Sequence, residues 1–245
     1  MRYTFVLLIC VVCFSFRAVC GKDLPSFIKK CKRQDPKLND CMKKALMDFK
    51  PYLRDGVKEM KVPSLNPYVL PTATIRTNWM NTTLTNLNLY NSHDYVVDYF
   101  DIDLDQGVIR LNLTTDHMEM NSQYEIDGRI LQFILHGEGK MEGNVNNTKV
   151  GIRLSGKKVQ RKGQEYLNLE EIIYELIDRP NSYMYFHNLF RNNPEITKTV
   201  NKVIEDNQDE LFKDIHPLVE KIISEIDLSM FKGVFDTYSL NELFD

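Results

Sequence analysis

The chain has 245 residues, 43% of them hydrophobic, and a formal charge of −3 from 31 Lys and Arg against 34 Asp and Glu. That mildly acidic balance argues against a nucleic-acid partner, whose phosphates demand a basic face. The length admits one domain or two.

The N-terminus reads as a signal peptide. Arg2 supplies a positive start, Phe5 to Phe14 is an unbroken apolar run of ten residues, and Ala18-Val19-Cys20 offers small residues for cleavage. A membrane span needs about 20 apolar residues, so the run is too short for an anchor, and no comparable segment follows. Cleavage after Cys20 leaves residues 21–245 as one globular unit and moves the formal charge from −3 to −5 by removing Arg2 and Arg17. It also removes Cys10, Cys13 and Cys20. Cys31 and Cys41 remain, and in an oxidising compartment they most simply form one local disulfide, worth roughly 3 kcal/mol in the chain-entropy description. Three sequons survive, at Asn81, Asn112 and Asn146.

Asp35-Pro36 has the form of a helix start, an N-cap followed by Pro at the first helical position. Leu38, Cys41, Met42, Ala45, Leu46, Phe49 and Leu53 follow at helical spacing, with Pro51 expected to interrupt the helix and Gly56 to end it. Lys61 to Pro71 holds three prolines and must run extended or in turns. The pattern then changes to period two. Phe100, Ile102 and Leu104 alternate with aspartates, and after a turn at Gln106-Gly107 so do Ile109, Leu111 and Leu113 with Arg110, Asn112 and Thr114. This predicts a hairpin with one apolar face. Further strands are expected at Gln123–Ile126, Arg129–His136 and Thr148–Leu154, with bulges or sharp bends at Gly137, Gly139 and Gly143. Tyr166–Ile177 permits helix or strand; its isoleucines and tyrosines favour strand. After Pro194 an apolar stripe from Val200 to Ile226 predicts one long helix of roughly thirty residues, bent at Pro217. One long helix and a many-stranded antiparallel sheet give an α+β class.

Chemical motifs are few. Asp101-x-Asp103-x-Asp105 begins like a calcium loop, but Gln106 and Asn112 stand where Gly and Glu belong. Gly137-Glu138-Gly139-Lys140 fits no phosphate cradle. The five histidines are scattered, and no nucleophile elbow is present. Nothing points to a cofactor or metal.

Taken in order, the motifs resemble the takeout and juvenile-hormone-binding family of secreted arthropod proteins. The resemblance runs from Cys31 to the C-terminus. It rests on the Cys31/Cys41 pair around Asp35-Pro36, Gly56, Pro63-Ser64-Leu65-Asn66-Pro67-Tyr68-Val69-Leu70-Pro71, Tyr124, Asp127-Gly128-Arg129-Ile130-Leu131, Gly137-x-Gly139, Asn188-Leu189-Phe190, Asn201, Asn207 and Pro217. The chain departs from the family with Asn192 where Gly is usual and Gln208 where Trp is usual. It also lacks the cysteines for the second disulfide of the haemolymph hormone carriers, which places it nearer the takeout branch. The resemblance implies a strongly curved antiparallel sheet wrapped around one long C-terminal helix, enclosing an elongated hydrophobic tunnel. It further implies a secreted, monomeric carrier, with no enzymatic activity, for a terpenoid such as juvenile hormone, a fatty acid or a similar lipid. Phe100, Ile102, Leu104, Ile109, Leu111, Phe133, Leu218 and Ile222 are the expected lining, with ordinary core packing as the alternative. An extracellular interaction protein with a vestigial tunnel and a lipid-ester hydrolase are the rival functions.

Overall fold

Two very long strands organise the fold. A computed structural model describes residues 24–178, 181–191 and 193–245, so the stretch expected as a signal peptide and Asn192 lie outside the described part. Strand β4 (Val108–Ile130) and strand β5 (Phe133–Arg161) pair antiparallel in one constant register, from Val108 opposite Ser155 to Ile130 opposite Phe133. The expected segments Gln123–Ile126 and Thr148–Leu154 are parts of these strands. Arg129–His136, expected as one strand, instead straddles the hairpin between them, because Leu131 turns the chain at φ 52°.

The remaining strands attach to this spine in two sets. Strand β3 (Tyr95–Asp103) pairs with the first half of β4, and β6 (Gln164–Asp178) with the second half of β5. Leu104, expected at the end of β3, falls in the turn that follows it. Strand β2 (Met80–Tyr90) pairs with the second half of β4, β1 (Tyr68–Arg76) lies outside β2, and β7 (Asn181–Phe186) pairs with the first half of β5. Tyr166–Ile177 is therefore strand, inside β6.

Each half-sheet builds its own core, and the two cores use opposite sides of the ladder. In one, the buried spine residues are Ile109 and Leu111 opposite Leu154 and Ile152; in the other they are Ser122, Tyr124 and Ile126, opposite Met141, Gly139 and Gly137. Odd positions of β4 face the first core and even positions the second. Strands this long accumulate a large right-handed twist. The change of side coincides with the single unpaired position of the ladder, Asp116 against Asn147, where Asn147 stands at φ 53°. Asn is among the few non-glycine residues that tolerate that left-handed conformation.

Helix α1 (Leu38–Leu53) starts two residues later than expected. Asp35-Pro36 forms a turn before it, in which the Asp35 carboxylate accepts the Lys37 amide at 2.8 Å. The helix passes Pro51 and reaches Leu53. Cys31 and Cys41 are joined, and Cys31 also meets the C-terminal tail through its backbone, its carbonyl accepting from Asp245 at 3.0 Å. The disulfide thus ties together the N-terminal arm, α1 and the chain end.

The single helix expected after Pro194 is two. Helix α2 (Pro194–Asp206) opens with Asn193 accepting the Ile196 amide at 3.0 Å and ends at Asn207, whose backbone leaves the helical region. Helix α3 (Gln208–Thr237) follows directly and contains Pro217, and a one-turn helix, α4 (Leu240–Leu243), closes the chain. The glycines of β5 mark close approach, not bulges. A Cβ on Gly137 would lie 2.5 Å from the Leu189 carbonyl oxygen and one on Gly139 2.3 Å from that of His187, so the chain after β7 rests directly on them. Buried Asn201 locks α2 to β7: its amide oxygen accepts from the Phe186 N–H at 2.8 Å, and its amide nitrogen donates to the Phe186 carbonyl at 2.9 Å.

Replacing Asn201 by Ala strands both backbone groups of Phe186 and is expected to cost about 2–3 kcal/mol, read as a lower urea midpoint in Trp79 emission. At the ladder kink, Asn147→Val should cost about 1–2 kcal/mol while Asn147→Gly is tolerated, measured in the same assay.

Candidate functional site along helix α3

Helix α3 is held at its ends. At its start, Leu211 is buried in the second core with Ile215 packed on it, and the Trp79 indole N–H donates to the Asp214 carboxylate at 2.9 Å. Towards its end, Leu228, Met230, Phe231, Val234 and Phe235 pack on the first core, followed by fully buried Tyr238 and Leu240. Between Ile215 and Leu228, about 20 Å of helix at 1.5 Å per residue, no residue belongs to either core. Yet this span carries Leu218, Val219, Ile222 and Ile226, all only half-buried.

The helix packs most closely on β6 and β1, the outer strands of the main strand path. The sheet therefore curls round until two of its edges flank α3, and it does not close into a barrel.

The expected lining residues fall into two groups. Phe100, Ile102, Leu104, Ile109 and Leu111 are all buried members of the first core. Phe133 packs at the margin of the second core, and Leu218 and Ile222 lie on the free span of α3. Two tyrosines at core positions are pushed up to about 12 by burial: Tyr95, and Tyr124, whose hydroxyl donates to the His187 carbonyl at 2.8 Å.

Sequence reasoning missed a polar group at the end of the free span. Asp227 of α3 accepts a hydrogen bond from the hydroxyl of Tyr174 on β6. Burial raises the Asp227 carboxyl to about 6, partly opposed by that bond. Burial first, and then the Asp227 charge, raise Tyr174, and the same two causes raise Tyr68 at the start of β1. The only hint in the sequence was an acid interrupting an apolar stripe. Period alone cannot distinguish that from a solvated face.

The sequons differ in setting. Asn81 is exposed on β2, its side chain accepting from Arg76 at 3.2 Å. Asn112 and Asn146 are half-buried, and Asn146 donates to the Asn144 side chain at 2.9 Å. The aspartates of the calcium-like stretch are engaged elsewhere. Asp101 pairs with Arg110 at 3.0 Å, Asp105 with Lys158 at 2.7 Å, and Asp103 caps the turn by accepting the amides of Asp105 and Gln106. The hollow there, about 690 Å³, is polar and open. No helix among the described residues is long and apolar enough to cross a membrane.

A family model described as haemolymph juvenile hormone binding protein (JHBP) matches residues 6–245. The chain belongs to that family. Among curated relatives of this JHBP-family chain are the circadian clock-controlled proteins daywake of Drosophila yakuba and Drosophila melanogaster. They are 24% and 22% identical, each match covering 94% of this chain and 92% of the relative. Takeout 1 of Epiphyas postvittana shares the fold at a TM-score of 0.77 and 18% identity, over 89% of this chain and all of that one. The curved sheet with its long C-terminal helix is thus the takeout-like architecture.

Asp227 holds its proton more tightly when folded than when unfolded, so the stability it contributes is complete below its unfolded value of about 3.9. That stability is lost as the pH rises through about 6. Asp227→Asn should therefore flatten the decline between pH 4 and 7 and raise stability at pH 7 by at most about 3 kcal/mol. Urea titrations of both proteins across that range check it, and parallel curves would refute it.

Proposed function

We propose that residues 21–245 form a single secreted, monomeric unit that carries one small hydrophobic molecule in an elongated interior site along α3. The terpenoid, fatty-acid or similar lipid class suits that site. The observation that supports this most directly is the free span of α3, an apolar stripe inside a curled sheet that neither core takes up. Folding normally buries such residues, since each exposed aliphatic side chain forgoes about 1.5–3 kcal/mol. Leaving several half-buried on one helix is consistent with a surface kept for a ligand.

Burial of about 400 Å² of ligand surface contributes roughly 10 kcal/mol at 25 cal/mol/Å². Association and ordering offset several of these, which leaves micromolar to nanomolar affinity. Family membership supports binding as the activity, in line with a sequence that carries no nucleophile elbow. A sparingly soluble molecule in extracellular fluid needs such a carrier.

The chain purified from a eukaryotic secretory host should release an apolar small molecule on solvent extraction, identified by mass spectrometry. Emptied protein should bind a fluorescent apolar probe, and Ile222→Trp should weaken that binding about tenfold or more while leaving the unfolding midpoint within about 1 kcal/mol. Absence of both extractable lipid and probe binding would overturn the carrier.

A further inference from the structure

The carboxyl of Asp227 is poorly served by its surroundings. A carboxylate offers about four acceptor positions, and Tyr174 fills one. Among the described residues no other hydrogen bond and no ion pair reaches it. Protein surrounds the carboxyl closely, yet the residue keeps some accessible surface. An acid buried without a cation costs stability, and apolar residues of similar size are usually cheaper at such positions. Its place is also specific. Asp227 stands on α3 between Ile226, the last residue of the free stripe, and Leu228, the first to pack on the first core. Tyr174 reaches it from β6, where it alternates inward with Ile172 while Ile173 is exposed, and Tyr68 reaches its vicinity from β1. Three elements thus bring polar groups together beside the end of the row Leu218, Ile222 and Ile226, three turns of α3 beyond the half-buried His216–Glu220 pair.

We propose that Tyr174 and Asp227, with Tyr68 beside them, form the polar end of the ligand site, which selects an apolar molecule ending in a hydrogen-bond donor, a hydroxyl or amine, over the same chain ending in a carboxylate or ester. This rests on the carrier function above and specifies its ligand. The head donates into a free acceptor position of Asp227, and the tail lies along Ile226, Ile222 and Leu218 towards Leu211. An ester has no proton to donate and leaves that acceptor unpaired. It can take the Tyr174 hydroxyl only by depriving Asp227 of its one donor. A ligand carboxylate sets a second negative charge against the first at low dielectric, and one of the two must take up a proton. Sites built around a buried polar group discriminate strongly against analogues that leave it unsatisfied.

The test compares hexadecanol, hexadecylamine, hexadecanoic acid and methyl hexadecanoate as competitors of N-phenyl-1-naphthylamine on the mature secreted protein at pH 7.5. The alcohol and amine should displace the probe at concentrations about tenfold or more below the acid and ester. In Asp227→Leu the four should fall within about twofold of one another. Asp227→Asn keeps the shape and should admit the acid, and Tyr174→Phe should weaken the preference for the donor heads. These two milder variants serve if the Leu variant does not fold. Probe binding with four equal heads, or a preference that survives all three variants, overturns the polar end and leaves the carrier standing. No probe binding by the wild-type protein overturns both.

Discussion

Helix α3 is anchored at its two ends to cores that occupy opposite sides of one β4–β5 ladder, and the rest of the architecture follows from that requirement. A single helix can meet both sides of a ladder only if the ladder turns over between them. The twist of the long strands and the left-handed step at Asn147 accomplish this, opposite the unpaired Asp116. Polar residues crowd the crossover, Thr114 to His117 on β4 and Asn144 to Lys149 on β5, with Asp116, His117 and Asn147 exposed and most of the others half-buried. The middle of α3 carries Leu218, Val219, Ile222 and Ile226, which neither core takes up.

The residues that resemblance to the family singled out have physical reasons that lie in backbone meetings. Gly137 and Gly139 leave no Cβ where the chain after β7 crosses β5, and Tyr124 hydrogen-bonds to the same crossing segment. Asn201 acts as an extra strand partner for Phe186. Asn188 takes a left-handed conformation and donates to the Glu138 carbonyl at 3.2 Å. Asn207 ends α2, its side chain donating to the Val203 carbonyl at 2.7 Å. All of these hold the second core around the N-terminal end of α3. Of the residues that carry the resemblance, Tyr68 alone lies beside Asp227.

Much of the scaffold was legible because its signals are local. Alternation from Phe100 to Leu113 revealed a hairpin, the isoleucines and tyrosines of Tyr166–Ile177 favoured strand, and the two cysteines beyond the first apolar segment formed the expected disulfide. The errors came where local signals are silent. The hairpin turn at Leu131-Gln132 holds no glycine and lies within apolar residues, so Arg129–His136 looked continuous. The break at Asn207 falls in the polar stretch from Glu205 to Glu210, but Ile204 and Leu211 on either side of it are two helical turns apart, so periodicity reads the whole as one helix.

The α+β class, the strand-rich centre, the helical C-terminal end and the pairing of Cys31 with Cys41 were all legible at the level of sequence, since period, turn chemistry and cysteine count are properties of neighbouring residues. Which apolar residues became core and which stayed half-buried was settled in three dimensions, because that depends on which elements meet across the sheet. Phe100 and Ile222 are a case in point. Both are large and apolar, yet the first is packed by its own half-sheet and the second lies between two cores. The same holds for Asp227. Its partner Tyr174 is 53 residues away in sequence, and only the curl of β6 against α3 makes them a pair.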